Sequence, residues 1–295
     1  MENNLAPISF TAYRVMFHIA LEQYQPVEYR LIHDELAGQM LPPGLQLLVK
    51  ILGLKPLRQR FLNLMEKASP GMRGSIFCRK RYIDDKLVEA LSTGIDNVVI
   101  LGSGLDTRAY RIPPLMKLTV YEVDLPEVID FKERKLRQLY GSIPAHVKLI
   151  PIDFDRQSVE DVLKSHSYSL DKRSFFIWEG VTQYISENAV CAIFEFLAKA
   201  MPGSRITFTY IVKDFIDGER TYGLERMYQE TRQQKQIWQF GLLPSQVVAF
   251  IGGYSYKEIE QVGANEYRQH YLQPREKVDA VMEIERMVYA EKIAT

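Results

Sequence analysis

Short apolar runs recur along the middle of the chain, and a segment with helical spacing separates each run from the next. Apolar strands that alternate with helices are typical of a parallel sheet covered by helices on both faces. The pattern therefore predicts an α/β fold with a doubly wound, mostly parallel sheet. The predicted strands lie at residues 98–101, 118–123, 147–154, 175–178 and 205–212. The predicted helices lie at residues 83–91, 126–139, 158–164 and 186–201.

Two segments fall outside this alternation. Residues 1–70 carry apolar side chains at spacings of three or four, and they are predicted to form an N-terminal helical cap. The main unit is then 71–295, and within it the polar, helical stretch 213–246 interrupts the sheet pattern as an insertion that covers a site. Two further strands, at 254–262 and 284–290, are expected to pair as an antiparallel C-terminal edge.

The composition is that of a folded chain with no net charge. Its 295 residues are 46% hydrophobic, and 37 basic residues balance 37 acidic ones. A protein that binds a polyanion usually carries a basic excess, so nucleic acid is not expected as a partner. No apolar run reaches the roughly 18 residues of a membrane span, and the N-terminus lacks the pattern of a secretory signal. With two cysteines, Cys78 and Cys191, the chain is expected in the cytoplasm and without a membrane partner.

Residues suited to a nucleoside follow four of the predicted strands. In an open α/β sheet, ligands bind beyond the carboxyl ends of the strands. Glycines after the first strand let the backbone approach a ligand closely. An acid suits a ribose diol, and a polar residue beside an aromatic one suits adenine. The residues in question are Gly102, Ser103 and Gly104 after the first strand, Asp124 after the second, Asp153 and Phe154 after the third, and Glu179 after the fourth.

The glycine turn departs from the fingerprint of dinucleotide-binding proteins. In G-S-G-L-D-T, Thr107 stands where the third glycine of G-x-G-x-x-G would lie. The missing glycine favours a nucleoside without a pyrophosphate, such as S-adenosylmethionine, over a nicotinamide dinucleotide. Two interpretations of another class stay open at this point: an NAD-type oxidoreductase and a nucleotide-binding module without catalytic activity.

Several longer strings carry a more specific signal. G-S-G-L-D-T-R-A-Y-R at 102–111, preceded by R-K-R-Y-I-D-D at 79–85, resembles the leucine carboxyl methyltransferase-like family. The resemblance covers roughly residues 75–212, and it is closest to the bacterial branch that includes carboxyl methyltransferases of the tetracenomycin type. It continues through Y-E-V-D-L-P at 121–126, I-D-F at 152–154 and W-E-G-V-T-Q-Y-I at 178–185.

The resemblance implies a class I methyltransferase (Rossmann-like) fold, with S-adenosyl-L-methionine as cofactor and S-adenosyl-L-homocysteine as product. Arg79 resembles the family arginine that holds the carboxylate of the methionine moiety, as a bidentate guanidinium can. By the same resemblance, the glycine turn faces the methionine chain, Asp124 binds the ribose, and Glu179 pairs with the amino group. Asp153 and Phe154 are implied to contact adenine.

Other polar residues near these strings have less direct roles. Asp106 and Arg108 are expected to pair and brace the turn, and Asp84 to be a charge that favours a helix start. Arg14 is the nearest candidate for a second basic residue at the methionine carboxylate, which some relatives draw from the N-terminal helix. Tyr184 either lines the acceptor pocket or packs as an ordinary aromatic side chain. The histidines share no metal-site or triad spacing, so neither a metal ligand nor a catalytic residue is assigned.

The expected reaction is methylation of a carboxyl group on a small molecule of polyketide or other secondary-metabolite type. A carboxylate acceptor is ionised near neutral pH and needs no general base, and the sequence offers no clear base for a phenol. The alternative within the family is methylation of a C-terminal leucine carboxyl group on a protein. The aromatic residues of the insertion fit an apolar acceptor, but core packing explains them equally well.

Overall fold

A computed structural model describes residues 7–233, 238–275 and 279–294, which contain one seven-stranded sheet. The strands are β1 Asn97–Leu101, β2 Thr119–Asp124, β3 Val147–Pro151, β4 Ser174–Trp178, β5 Arg205–Ile211, β6 Tyr256–Val262 and β7 Glu285–Lys292. Their order across the sheet is β3-β2-β1-β4-β5-β7-β6. Strands β1 to β5 are parallel, and β7 is antiparallel to both of its neighbours. The predicted fold class, with its antiparallel edge, is confirmed.

The central strands are apolar because helices cover both faces of the sheet. Every residue of β1 and of β4 is buried, which explains why their sequences, N-V-V-I-L and S-F-F-I-W, are almost wholly apolar. Strand β3 lies at the edge, where Lys148 and Pro151 are exposed and Val147 and Ile150 are buried. The continuous apolar runs in the sequence therefore correspond to central positions in the sheet.

Helices flank the sheet and form the N-terminal part of the chain. In the described ranges the α-helices are α1 Pro7–Glu22, α2 Ala37–Met40, α3 Pro43–Leu52, α4 Lys55–Ala68, α5 Met72–Leu91, α6 Arg108–Arg111, α7 Pro126–Tyr140, α8 Val159–Ser165, α9 Glu187–Leu197, α10 Lys213–Asp217, α11 Glu225–Gln233, α12 Val247–Gly252 and α13 Ala264–Tyr267. Shorter helical turns lie at Val27–Tyr29, Pro113–Lys117, Thr182–Tyr184, Pro244–Gln246, Arg268–Leu272 and Gln273–Arg275.

The predicted elements match the observed ones except at some of their ends. The helix predicted over 83–91 begins earlier, at Met72. The sequence pattern missed its first part because several polar residues separate the apolar positions, and these polar residues are buried against other charges. The third strand ends at Pro151, and the chain turns at Asp153, whose side chain accepts a hydrogen bond from the backbone N–H of Asp155. The start of α9 is as expected, with the Ser186 side chain accepting from the Ala189 N–H.

Helices α1 to α4 occupy the predicted cap, whose first six residues lie outside the described ranges. Helix α1 packs against α2, α3 and α5. Its buried side chains, such as Met16 and Ile19, belong to the same apolar core as the sheet. The division of the chain into a cap, 1–70, and a main unit, 71–295, stays a prediction.

The insertion predicted at 213–246 contains α10 and α11, while its residues 234–237 lie outside the described ranges. It joins β5 to the antiparallel edge of the sheet. None of the helices in the described ranges is both long enough and apolar enough to cross a bilayer.

His18 of α1 is buried inside the packing of the cap, close to two cations. Its side chain is 3% exposed, and burial together with the nearby Arg14 and Arg73 lowers its pKa to about 4. The histidine is therefore neutral in the fold at neutral pH. The unfolded chain binds a proton at this residue more readily, so protonation favours unfolding.

We expect the free energy of unfolding to fall as the pH drops from 6.5 to about 4, between the unfolded and folded pKa values of His18. The stabilisation is complete above this window and is lost within it. His18→Leu should remove about 2–3 kcal/mol of the change between about pH 7 and about pH 4.5 in urea titrations. His33→Leu, at an exposed position, is the control. The same pH dependence in both variants would contradict this account.

Candidate functional site

The candidate site lies where the strand order reverses. Strands β2 and β3 extend the sheet on one side of β1, and β4 and β5 extend it on the other. The loops after β1 and β4 therefore diverge and leave a crevice, which is the usual ligand position in an open α/β sheet. The loop after β1 holds Gly102, Ser103 and Gly104, which we call the glycine turn, and the loop after β4 holds Glu179 and Gly180.

The glycine turn is closely packed against the neighbouring loops. Gly102 has a φ of 70°, and a Cβ atom there would lie 2.2 Å from Val181 Cγ2, so no larger residue fits. The Gly104 N–H donates to Asp124 Oδ2 over 2.5 Å, and the Leu125 N–H donates to Asp124 Oδ1 over 2.7 Å. Burial raises the pKa of Asp124, and the two N–H donors oppose that rise. Asp124 thus fixes the turn to the end of β2.

Ser103, in the middle of the glycine turn, has an unsatisfied hydroxyl group. The residue is 3% exposed, and its Oγ has no hydrogen-bond partner among the described residues. Buried polar groups in proteins are almost always paired, and leaving one unpaired costs roughly 1–3 kcal/mol. A buried hydroxyl of this kind, at the carboxyl end of a central strand, suits a polar atom of a ligand.

The residues predicted to contact adenine lie on the same edge of the sheet as Asp124. Strands β2 and β3 pair in register as far as Asp124 and Pro151. Asp153 and Phe154 lie in the next loop, separated from Pro151 by Ile152, and both are partly buried. The residues predicted to follow the four strands therefore lie along the carboxyl edge of the sheet, in the order of the strands across it.

A cluster of charged side chains lies next to the glycine turn, and we call it the buried ion cluster. Its members come from α5, from the segment after β1, from the loop after β4 and from β7. They are four cations and four anions: Arg79, Lys80, Asp84, Asp106, Arg108, Arg111, Glu179 and Glu285. Arg111 also lies 3.8 Å from Asp34 of the cap. No group of three His, Cys, Asp or Glu side chains in the described ranges is arranged to hold a metal ion.

Glu179 is the centre of the buried ion cluster. Its Oε1 accepts a hydrogen bond from Arg79 Nε over 2.9 Å, and its Oε2 accepts from Arg108 Nη1 over 2.9 Å and from Lys80 Nζ over 3.3 Å. Burial raises its pKa, but Lys80, Arg108 and Arg79 outweigh burial and lower the pKa to about 2. The carboxylate therefore stays ionised throughout the physiological pH range.

Arg79 is held between two carboxylates and keeps one nitrogen free of both. Its Nε donates to Glu179, and its Nη1 donates to Glu285 Oε2 over 2.6 Å. Its Nη2 forms no hydrogen bond within the described ranges and lies beside Gly180, where an added Cβ would be 3.4 Å away. Burial lowers the pKa of Arg79, but Glu285 and Glu179 raise it above its ordinary value. The guanidinium is thus permanently charged, with one nitrogen facing the loop after β4.

Arg108 and Asp106 pair with each other, as the sequence predicts. Arg108 is fully buried, and its Nε also donates to Asp84 Oδ1 over 2.6 Å. The prediction that Asp84 is a charge at a helix start is wrong. Helix α5 begins at Met72, so Asp84 lies in its second half, where it pairs with Arg108 and also with Arg111 over 2.7 Å.

Thr107 connects the segment after β1 to the cap. Its Oγ1 donates to Asp34 Oδ2 over 2.5 Å. The other oxygen of Asp34 accepts from the backbone N–H groups of Leu36 and Ala37, at the start of α2. Burial raises the pKa of Asp34, and Arg111 and Thr107 oppose that rise. One carboxylate of the cap thus holds both α2 and the threonine of the G-S-G-L-D-T string.

Arg14 and Tyr184 lie close together near the loop after β4. Burial and the nearby Arg79 lower the pKa of Arg14. Tyr184 and Glu230 raise it, so all three residues are near Arg14. The Arg14 guanidinium forms no hydrogen bond or ion pair with any described residue. The Tyr184 ring packs edge-on against Trp238, with centroids 6.3 Å apart. Its role in an acceptor pocket stays a prediction.

Two members of the buried ion cluster were missed or misread at the level of sequence. Glu285 lies 206 residues from Arg79, and no local spacing connects them. Asp84 follows Lys80 by four residues in what proves to be one helix, a spacing that places two side chains on one face. The spacing indicates that Lys80 and Asp84 share a helix face, but only when the helix is known to begin at Met72.

Comparison with known proteins identifies relatives of the chain. A Mycobacterium avium (strain 104) protein assigned as an S-adenosyl-L-methionine-dependent methyltransferase is 36% identical over 141 residues, which are 48% of this chain and 47% of that protein. A Mycobacterium marinum protein assigned in the same way is 37% identical over 141 residues, 48% of this chain and 46% of that protein. The chain thus spans about half the length of the curated relatives it matches.

Solved structures share the fold. A Thermobifida fusca protein described as a methyltransferase matches with a TM-score of 0.56 at 15% identity, over 93% of this chain and 97% of that chain. A DUF574 family protein from Streptomyces avermitilis matches with a TM-score of 0.56 at 13% identity, over 80% of this chain and 91% of that chain. At these identities the likeness concerns the fold alone.

A family profile extends the comparison to most of the predicted site. The profile of leucine carboxyl methyltransferase matches residues 12–198, which is more than half of the chain. The matched range runs from α1 to the end of α9 and includes the glycine turn and the loop after β4. The chain therefore belongs to the leucine carboxyl methyltransferase family, as its sequence predicts.

Proposed function

We propose that the chain is an S-adenosyl-L-methionine-dependent O-methyltransferase that methylates a carboxyl group of a small molecule. The observation that carries the proposal is the Ser103 hydroxyl, which is buried and unsatisfied in a glycine turn after β1. A nucleoside cofactor with a polar amino-acid chain supplies the partner that this hydroxyl lacks. Family membership and the names of the mycobacterial relatives support the same cofactor.

The residues present fit the nucleoside part of this cofactor. Each carboxylate oxygen of Asp124 accepts one backbone N–H and keeps a second lone pair for a ribose hydroxyl. Asp153 and Phe154 follow the adjacent strand and are partly buried, which suits an adenine ring stacked on Phe154 with its amino group towards Asp153. In this proposal Glu179 pairs with the cofactor's ammonium group through its ionised carboxylate.

Arg14 and Arg79 bind the carboxylate of the cofactor in this proposal. Both are cations, and Arg79 is near enough to lower the pKa of Arg14. An anion bound next to two cations relieves their mutual repulsion. Arg14 forms no ion pair with a described residue, although Glu230 is near enough to raise its pKa, and Arg79 keeps Nη2 free beside Gly180. The proposed carboxylate therefore gives Arg14 an ion-pair partner and Arg79 Nη2 an acceptor.

The reaction needs alignment more than acid–base chemistry. The cofactor supplies a methyl group on a sulfonium sulfur, which is already electrophilic. The chain therefore has to orient the acceptor and exclude water. A carboxylate acceptor is ionised near pH 7, so no residue has to take up a proton. Glu179 is unsuited to deprotonate a phenol, because its pKa is about 2. This supports a carboxyl group as the acceptor.

The elements around the loop after β4 support a small acceptor. Glu230 on α11 and Tyr184 are both near enough to Arg14 on α1 to raise its pKa, so the insertion approaches the cap beside the loop after β4. A site bounded from two sides admits a compact molecule more readily than the C-terminus of a folded protein. Methylation of a protein C-terminal leucine is the alternative that the family name suggests.

Ser103→Ala is expected to weaken binding of S-adenosyl-L-homocysteine about fivefold to tenfold, since it removes one hydrogen bond worth roughly 1–1.5 kcal/mol. The melting temperature without ligand should not fall, because the hydroxyl has no partner within the described ranges. Thr207→Val is the matched control, since Thr207 Oγ1 is also buried without a partner but lies in β5. Isothermal titration calorimetry measures the affinities. Equal affinities of the two variants for S-adenosyl-L-homocysteine would contradict the proposal. Thermal stabilisation by NAD in place of S-adenosyl-L-homocysteine would also contradict it.

Arg14→Gln is expected to weaken S-adenosyl-L-homocysteine binding about tenfold or more, because a hydrogen bond to a charged group contributes roughly 1.5–3 kcal/mol. Binding of 5′-methylthioadenosine, which lacks the amino acid part, should not change. The control is Arg137→Gln, at an exposed position on α7. Calorimetric titration of both ligands separates the two contributions, and an equal loss for both would rule out the carboxylate assignment.

The acceptor class is tested by transfer of a labelled methyl group from S-adenosyl-L-methionine to a cell extract. We expect the label in the fraction that passes a filter retaining proteins. Mild base should release it as volatile methanol, because methyl esters hydrolyse whereas aryl methyl ethers are stable. An extract without the chain is the blank. Label retained with protein would favour the C-terminal leucine alternative, and base-stable label would exclude a carboxyl acceptor.

A further inference from the structure

Helices α3 and α4 of the cap expose a set of apolar side chains that the core does not use. The core takes Val49, Leu52 and Leu62 from these helices. The exposed set is separate from them, and three of its members are at least 60% exposed. We call this set the leucine face, and it consists of Leu47, Leu48, Ile51, Leu54, Leu57 and Leu64.

The leucine face follows helical spacing. Leu48 and Ile51 are one turn apart on α3, and Leu54 lies in the short connection to α4. Leu57 and Leu64 are two turns apart on α4, so they lie on one side of that helix. Exposed apolar residues are common singly, but six of them within residues 47–64, on two helices that contact each other, indicate a binding surface.

Basic side chains predominate around the leucine face. Residues 36–65 contain four basic residues and no acidic one, in a chain whose 37 basic and 37 acidic residues balance overall. Lys50, Lys55 and Arg60 are exposed, whereas Arg58 turns inward and donates to the Gly53 carbonyl oxygen over 2.7 Å. The segment 36–65 therefore carries a net charge of +4, whereas the cap as a whole, 1–70, is close to neutral with seven basic and six acidic residues.

The composition of the leucine face distinguishes among possible partners. A second copy of the chain would bring Lys50, Lys55 and Arg60 against their own counterparts, and like charges repel. Protein interfaces are enriched in aromatic residues and methionine, but the aromatic and methionine side chains of α4, Phe61 and Met65, are half-buried. Leucines flanked by lysine and arginine are the pattern of helices that lie in the interface of an anionic bilayer.

We propose that the leucine face docks the protein on the surface of an anionic lipid bilayer. The leucines enter the boundary between headgroups and acyl chains, while the lysine and arginine stems extend along the apolar surface and place their charges at the lipid phosphates. The sequence excludes a membrane partner on the ground that no run is long enough to span a bilayer. Surface binding needs no span, so that criterion does not apply to it.

The test is sedimentation of the full chain with phosphatidylcholine vesicles that contain or lack phosphatidylglycerol. We expect binding to the anionic vesicles, weakened by salt. Lys50→Gln with Lys55→Gln should reduce it about fivefold for each residue, since one basic residue near the surface contributes about 1 kcal/mol. Leu54→Gln with Leu57→Gln should reduce it roughly fivefold for each leucine, since these side chains are only partly exposed before docking.

Val248→Gln with Lys257→Gln is the matched control, because it removes an exposed apolar residue and an exposed lysine from α12 and β6. It should bind vesicles like the wild type. The proposal would be overturned if the chain did not bind anionic vesicles, or if its vesicle affinity were unchanged by both pairs of substitutions in the cap. A dimer in light scattering that Leu54→Gln with Leu57→Gln dissociates would assign the face to a second copy of the chain instead. All these positions are exposed, so circular dichroism and the melting temperature should match the wild type.

Discussion

The Glu179 carboxylate accepts hydrogen bonds from Arg79, Arg108 and Lys80 at distances of 2.9 to 3.3 Å. These cations belong to α5 and to the segment after β1, and Glu179 itself follows β4. One carboxylate thus holds three parts of the chain around the crevice. Removing one partner of a buried ion pair leaves an uncompensated charge, which typically costs about 3–5 kcal/mol. The geometry of the crevice therefore depends on charge balance as well as on apolar packing.

The ion pairs of the buried ion cluster also hold Arg79 in a fixed orientation. A guanidinium with two nitrogens already bonded cannot rotate freely, so the direction of the third nitrogen of Arg79 is set before any ligand arrives. Groups that are held in advance cost little ordering entropy on binding, and they act strongly in a site that excludes water. Ser103 and Arg14 differ from Arg79, because among the described residues the Ser103 hydroxyl has no hydrogen-bond partner and Arg14 forms no ion pair. The crevice thus combines groups fixed by the fold with groups left for a ligand.

The fold and the strand-end residues could be predicted because both follow from local patterns. Central strands must be apolar on both faces, and parallel strands bring their carboxyl ends to one edge, so Asp124, Asp153 and Glu179 were found together. The partners of Arg79 could not be found in this way. Glu285 comes from an antiparallel strand 206 residues away, and no sequence period records that contact. The start of α5 was misplaced because buried charges such as Lys80 resemble surface residues until their counter-charges are known.

Thr107 stands where a dinucleotide-binding turn has its third glycine, and its hydroxyl is the group that holds Asp34 and so the start of α2. The position that separates this turn from a pyrophosphate site therefore also provides one of the contacts that hold the cap. Replacing Thr107 with glycine would remove that hydrogen bond, so the departure from the dinucleotide fingerprint and this contact with the cap depend on the same side chain.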